Sequence, residues 1–324
     1  MSSRRFLGFV VLSALLSAVP LHAETPDFGQ WLQELREEAL GLGISAATLD
    51  AALTGIEPIP RVIELDRRQP ELTWTLDQYL NRIVSEERVA RGREKLREHG
   101  ALLEQVAKKY GVPARFLTAL WGIETNYGQA SGGFQVIAAL ATLAHDGRRS
   151  AFFRKELLLA LRIVDQGHVT PENMMGSWAG AMGQMQFMPS TFTSYAVDGN
   201  GDGKIDLWGS REDAFASAAS YLSRMGWDGA RTWGRAVQVP PGLDRSMVSL
   251  DVQKPLEEWQ ALGVRRTGGA DLPEVPGLAA SLIQPDGPGT PAYLVYDNFR
   301  TILRWNRSQF FGIAVGTLAD RIGG

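Results

Sequence analysis

Pro113-Ala114-Arg115-Phe116-Leu117-Thr118-Ala119-Leu120-Trp121-Gly122-Ile123-Glu124-Thr125-Asn126-Tyr127-Gly128 is the stretch on which the reading of this chain turns. Leu117, Leu120, Trp121 and Glu124 recur at i, i+3, i+4 and i+7, which places them on one face of a helix. Pro113 suits its start and Gly128 its stop. Three members of the stripe are apolar, so this face packs inward; the fourth is a carboxylic acid in the last turn. Desolvation and the negative end of the helix dipole both disfavour its ionised form. A carboxyl group placed like this keeps its proton towards neutral pH, as a general acid must. A buried glutamate held by an arginine or a backbone amide elsewhere in the fold would carry the same signature.

Around this helix the composition is that of an ordinary globular protein: 324 residues, 44% hydrophobic and 21% charged, with room for two domains or one large body and an appendage. Residues 1–23 stand apart. Arg4 and Arg5 precede an uncharged, mostly apolar run from Phe6 to Val19, and Leu21-His22-Ala23 offers a cleavage site before Glu24. This pattern is a secretory signal peptide, and its apolar run falls short of the roughly 20 residues that a membrane-spanning helix needs. The leader carries two arginines and no acid, so its removal takes the formal charge from −3 to −5. A mildly acidic surface argues against nucleic acid or an anionic membrane as partner. The chain has no cysteine, which excludes disulfides, thiolate metal sites, a cysteine nucleophile and lipidation at an N-terminal cysteine. The expectation is a soluble periplasmic protein with no membrane span, exported by its signal peptide and not a lipoprotein.

The rest reads as mainly α with a small β insertion. Residues 24–107 form an N-terminal helical domain. In it Phe28, Trp31, Leu32 and Leu35 share a face, Ser45 caps a second helix, and Pro58 and Pro60 make Gly55 to Arg61 extended. Further helices run from Thr75 to Val84 and from Glu86 to His99. Residues 108–235 form a helical core that carries the informative motifs, with Phe215, Ala218, Ala219 and Leu222 facing inward behind Ser210. Over 236–296 come short β-rich runs, Ala236–Val239, Met247–Val252, Ala280–Ile283 and Ala292–Tyr296, separated by Pro and Gly turns. Residues 297–324 return to the core, with Asn298 to Asn306 extended and Ser308 to Ile322 helical.

Two further stretches carry chemistry. Gly176-Ser177-Trp178-Ala179-Gly180-Ala181-Met182-Gly183-Gln184-Met185-Gln186-Phe187 combines small residues with neutral hydrogen-bonding groups and flat apolar faces. That combination suits a sugar, with hydroxyls on its rim and C–H faces above and below; a glycine-rich loop that only lets helices pack closely reads the same way. Asp198-Gly199-Asn200-Gly201-Asp202-Gly203-Lys204-Ile205-Asp206 matches the first nine positions of an EF-hand-like calcium loop. Its twelfth position, where a bidentate Glu belongs, is Gly209; the nearest carboxylates are Glu212 and Asp213. Asp213 also stands three residues after Ser210, where it completes a helix cap instead. Any bound Ca2+ would be structural, because no open metal site is visible. No Gly-x-Ser-x-Gly elbow supports a nucleophilic serine. Asp165, Asp146 and Glu156 remain candidates for a second carboxylate facing Glu124, as a conventional glycosidase requires.

Taken together, Gly122-Ile123-Glu124-Thr125-Asn126-Tyr127-Gly128, Ala138-Ala139-Leu140-Ala141-Thr142-Leu143, Gly180-Ala181-Met182-Gly183, Gln186-Phe187-Met188-Pro189-Ser190 and Arg304-Trp305-Asn306-Arg307-Ser308 resemble the lytic murein transglycosylase B family. The likeness runs from Gln69-Pro70 to the end of the chain. It implies a lysozyme-like helical core with a cleft, and non-hydrolytic cleavage of the MurNAc-β-1,4-GlcNAc bond of peptidoglycan to 1,6-anhydroMurNAc ends. Glu124 matches the family's single catalytic acid/base. Ser177, Gln186 and Asn306 match polar cleft residues, and Tyr127, Trp305 and Phe311 are taken as its aromatic ones; the last two replace tyrosines of some members. Asp198, Asn200, Asp202, Lys204 (through its carbonyl) and Asp213 match the calcium loop. The resemblance also implies a monomer that acts on glycan strands and joins other cell-wall enzymes. The rival readings are a hydrolytic muramidase with the same cleft and a non-catalytic peptidoglycan-binding protein.

Overall fold

The computed structural model describes residues 27–67 and 74–323; the signal peptide expected at 1–23 lies outside them. The N-terminal part is built from short capped helices. Asp27 accepts the Gly29 amide to open α1 (Phe28–Gly41), and Ser45 accepts the Thr48 amide to open α2 (Ala46–Leu53). Next comes α3 (Pro60–Arg67). The extended segment therefore ends at Ile59 rather than Arg61, because a proline in the first helical turn gives up no hydrogen bond. A capping box between Thr75 and Gln78 opens α4 (Leu76–Ile83), and α5 (Glu86–Glu98) starts at the Ser85 cap.

The central body follows as α6 (Gly100–Tyr110), α7 (Ala114–Thr125), α8 (Val136–His145), α9 (Ser150–Asp165), α10 (Pro189–Tyr195) and α11 (Arg211–Arg224). A two-residue ladder, β1 (Phe134–Gln135) with β2 (Met175–Gly176), ties the start of α8 to the glycine-rich segment. The expected helix from Pro113 is α7, but it is buried on every side from Phe116 to Gly122 and not along a single stripe. It runs through the middle of the body against α5, α6 and α14 (Gln309–Gly323). Fixing both ends of α7 therefore fixes Glu124 in a frame made by the whole body.

The insertion is a five-stranded antiparallel sheet in the order β4-β6-β7-β3-β5: β3 (Gly234–Gln238), β4 (Lys254–Pro255), β5 (Arg265–Arg266), β6 (Ala279–Ile283) and β7 (Ala292–Val295). With α12 (Leu256–Ala261) it closes a core of its own, in which Val237, Trp259, Leu282 and Leu294 are buried apart from the main cluster. Met247–Val252, expected as a strand, is instead a 3-10 turn and bends, with only Val248 bridging to Leu282. Side-chain oxygens of Asp244 and Ser249 accept the Ser246 and Asp251 amides, offering the backbone turns instead of a ladder.

The other departure is larger. Asn298 to Asn306, expected to be extended, is the helix α13 (Asp297–Trp305). Phe299 and Ile302, three apart, are buried with Asn298 and Thr301 on the inward side. Asn298 accepts the Asp228 amide at 2.8 Å and donates to the carbonyls of Asp228 and Arg231. Tertiary burial overrides the strand preference of adjacent Thr301 and Ile302. Because this segment is helical, its last residue, Trp305, is carried to the end of α7.

Candidate active site

Three consecutive residues end α7 in the left-handed region: Asn126 (φ 50°), Tyr127 (φ 61°) and Gly128 (φ 82°). The chain turns away sharply and leaves Glu124, in the last turn, at an uncovered helix end. Gly122 makes this turn possible, since a Cβ there would lie 2.5 Å from the Tyr127 ring. Tyr127 is thereby folded into the core, edge-on to Trp121, and its hydroxyl donates to the Arg88 carbonyl at 2.7 Å. Expected to line the cleft, Tyr127 is instead a buried brace with its one polar group already bonded.

Glu124 keeps part of its side chain open to solvent while protein crowds its carboxyl group. Burial pushes its pKa from the ordinary 4.5 to about 7, against the lowering effect of a hydrogen bond from Trp305. That bond, Trp305 Nε1–H to Glu124 Oε1 at 2.8 Å, is the one polar contact of the carboxyl among the described residues. Among the described residues no arginine and no backbone amide holds it, which weighs against the structural ion-pair reading.

Among the described residues no second carboxylate acts on Glu124 either. Asp146 is paired with Arg67 at 2.9 Å, Glu156 is buried and accepts the Ser190 amide at 2.8 Å, and Asp165 accepts the hydroxyls of Ser45 and Thr48. Each of the three serves local structure elsewhere. A 710 Å³ cavity, lined by Val237, Arg245, Gln284 and Thr290 among others, lies on the β insertion and holds no acid. The candidate centre is marked by the electrostatics of Glu124, not by cavity size.

The expected cleft residues divide. Ser177 accepts the Ala181 amide at 3.0 Å through its hydroxyl oxygen, which leaves its proton available. Gln186 sits at φ 48° and donates to the carbonyls of Ser131 and Gly183, so only its carbonyl oxygen is left for a ligand. Asn306 is exposed and accepts the Ser308 amide ahead of α14, leaving its side-chain NH2 open. Trp305, expected as a stacking face, packs edge-on to Phe187 at 5.2 Å and Tyr221 at 5.1 Å and turns its N–H to Glu124. Phe311 is 5% exposed and belongs to the core. Tyr221 was not anticipated from sequence; its hydroxyl donates to the Arg304 carbonyl and so holds the end of α13 that carries Trp305.

The acidic loop is folded by its own side chains. Asp198 accepts the amides of Gly201 and Gly203, Asn200 that of Asp202, and Asp202 that of Lys204. Asp213 is completely buried, and its two oxygens accept the amides of Gly199, Asn200 and Asp206. It thus holds the loop from behind. Exposed Glu212 borders the same cavity as Gly199 and Asn200. Among the described residues no three His, Cys, Asp or Glu converge as a ready metal cage. The oxygen donors of Asp198, Asn200 and Asp202 are of the kind that suits a hard cation.

Comparison with known proteins agrees with this architecture. The family model described as "Transglycosylase SLT domain" matches residues 27–320. The chain belongs to that family. It is 31% identical over 301 residues to the membrane-bound lytic murein transglycosylase B of Escherichia coli K12, spanning 90% of this chain and 78% of that one. The structure of SltB3 from Pseudomonas aeruginosa in complex with NAG-anhNAM-pentapeptide is similar with a TM-score of 0.89 and 46% identity, over 92% of this chain and 80% of the other. The E. coli lytic transglycosylase Slt35, solved in complex with calcium, is similar with a TM-score of 0.77 and 28% identity, over 93% of each chain. These neighbours confirm a mainly helical, lysozyme-like family fold.

Proposed function

We propose that Glu124, acting alone, is first the acid and then the base of a lytic transglycosylase. The chain is an enzyme of that family, whose relatives are named as acting on murein and have been solved with peptidoglycan fragments. The observation that carries the assignment is a desolvated carboxyl group with a pKa of about 7 and no carboxylate partner. Near neutrality such a group can both give and take a proton.

In this reading the neutral Glu124 gives its proton to the glycosidic oxygen as the bond from C1 of muramic acid to that oxygen breaks. The N-acetyl carbonyl of the same sugar stabilises C1 from the opposite face, so the protein needs no second acid. The C6 hydroxyl oxygen then attacks C1 and Glu124 takes its proton, which closes the 1,6-anhydro ring and restores the starting acid. The attack is intramolecular, and effective molarities on the order of 10⁵ M let it outrun water in a shielded site. Ser177 and Asn306, with a free hydroxyl proton and free amide protons, orient the acetamido group; the carbonyl oxygen of Gln186 accepts from the sugar.

The acidic loop is the seat we assign to Ca2+, held by Asp198, Asn200, Asp202 and the Lys204 carbonyl, with Glu212 as the remaining carboxylate on that side. The support is the sequence pattern, the turns its side chains build and a calcium-bound relative. The ion would stiffen the loop and take no part in the reaction. We place the enzyme in the periplasm on the pattern of residues 1–23; among the described residues no helix is long and apolar enough to cross a membrane. The division at 107, 235 and 296 is our reading of the chain's architecture, supported by the separate apolar core of the insertion.

Digestion of purified sacculi followed by mass spectrometry tests the activity. Wild type should release ends lighter by one water than reducing ends, and Glu124→Gln should release none. Reducing ends from wild type would make the protein a muramidase, and equal release by both proteins would remove Glu124 from the chemistry.

A further inference from the structure

Gln184 lies beneath the site, 5% exposed, and joins two segments far apart in sequence. Its backbone N–H donates to the Leu207 carbonyl at 2.8 Å and its side-chain Nε2 to the Trp208 carbonyl at 3.0 Å. Its backbone carbonyl accepts from the Thr125 hydroxyl at 2.8 Å, and Thr125 is the last residue of α7, next to Glu124. The same hydroxyl oxygen accepts the Gly128 amide at 3.1 Å, inside the left-handed turn that uncovers the helix end.

The side-chain orientation of Gln184 is fixed, since only an NH2 can face the Trp208 carbonyl. That leaves Gln184 Oε1 buried with no protein partner, close to the likewise unpartnered Trp121 Nε1. A Cβ on Gly128 would lie 3.0 Å from the first and 3.4 Å from the second. An unpaired buried polar atom costs about 1–3 kcal/mol, a cost that an apolar side chain filling the same space would avoid. The arrangement makes sense if the amide holds position and does not merely fill volume.

We propose that Gln184 is a positioning residue for Glu124, clamping the end of the catalytic helix to the Leu207-Trp208 segment. The segment is itself fixed: Asp206 accepts the amides of Trp208 and Gly209, and Trp208 Nε1 donates to the Met175 carbonyl. Hydrogen bonds thus run without a gap from the acidic loop to the residue beside the acid. The inference rests on the role given to Glu124 above.

The test is the steady-state kinetics of Gln184→Met, Thr125→Val, their double variant and Thr125→Ser, on soluble glycan fragments across pH. Each of the first two should lower kcat about tenfold and move its basic limb while KM stays within about twofold. Thr125→Ser should recover most of the loss, and the double variant should be no worse than the more impaired single one. Folded single variants with wild-type kcat, equal changes in kcat and KM, or additive losses would overturn the proposal. If Gln184→Met does not fold, the Thr125 pair still decides, because Val removes one hydroxyl and Ser restores it. Wild type without anhydro products would count against the proposed function; active wild type with matching variants would count against this inference alone.

Discussion

Trp305 Nε1 stands 2.8 Å from Glu124 Oε1, so the last residue of one helix donates a hydrogen bond to the last-turn acid of another 181 positions away. An indole N–H can only donate, and donation favours the carboxylate. Desolvation favours the acid, and it dominates, leaving the group at about 7. In the proposed mechanism this balance gives a proton that is present when the glycosidic oxygen needs it and not too tightly held to leave.

Removing the donor should tilt the balance. Trp305→Phe keeps an aromatic ring against Phe187 and Tyr221 and loses the N–H. A hydrogen bond to a charged group contributes about 1.5–3 kcal/mol, and 1.36 kcal/mol corresponds to one pKa unit. The basic limb of the pH–rate profile should therefore rise by about one unit, and kcat at pH 6 should fall about tenfold, because the acid then gives its proton to the glycosidic oxygen less readily. A pH–rate profile that superimposes on wild type would show that the indole does not tune the acid.

Glu124 should also leave a mark on stability. Its folded pKa lies above the unfolded value, so the native state holds a proton that the unfolded chain has lost. The contribution is fully present below about 4.5 and is lost as pH rises through about 7. Glu124→Gln lacks this penalty. Its melting temperature should gain on wild type across that window, by the equivalent of about 3 kcal/mol, and the difference should be flat above it. Parallel melting curves from pH 4 to 8 would contradict the shift.

The acidic loop separates two carboxylates that look interchangeable in sequence. Asp213→Asn puts an NH2 against backbone amides in a fully buried site and should destabilise by about 2–4 kcal/mol whether or not calcium is added. Glu212→Gln should leave the metal-free melting temperature alone and reduce its rise on adding Ca2+. Stripping metal from wild type should lower the melting temperature. A curve unmoved by chelator and by calcium would remove the ion from the account.

Much of this was legible in the chain because local signals and burial agree. The stripe ending at Glu124, the caps at Ser45 and Ser210, and the strands around Ala280 and Ala292 each satisfy one rule at a time. The misses lie where long-range packing outvotes local preference. Asn298 to Trp305 is helical because Phe299 and Ile302 find the core and Asn298 finds Asp228 and Arg231. Tyr127 beside the acid looked like a ligand contact, but Gly122 leaves a berth for its ring in the core. Asp213 carried a metal-ligand spacing and a cap spacing at once, and its burial behind the loop could not be read from either. Nothing in the sequence paired Trp305 with Glu124, since residues this far apart meet only once α13 and α14 are in place.

The central claim is that Glu124 keeps its proton almost to neutrality in a site with no second acid. The most direct measurement is carbon-13 NMR titration of the side-chain carboxyls in labelled wild type, with Glu124→Gln identifying the resonance. A resonance that titrates near 7 and is missing from the variant is the predicted result. A Glu124 resonance that titrates close to 4.5 would contradict it, and with it the single-acid mechanism.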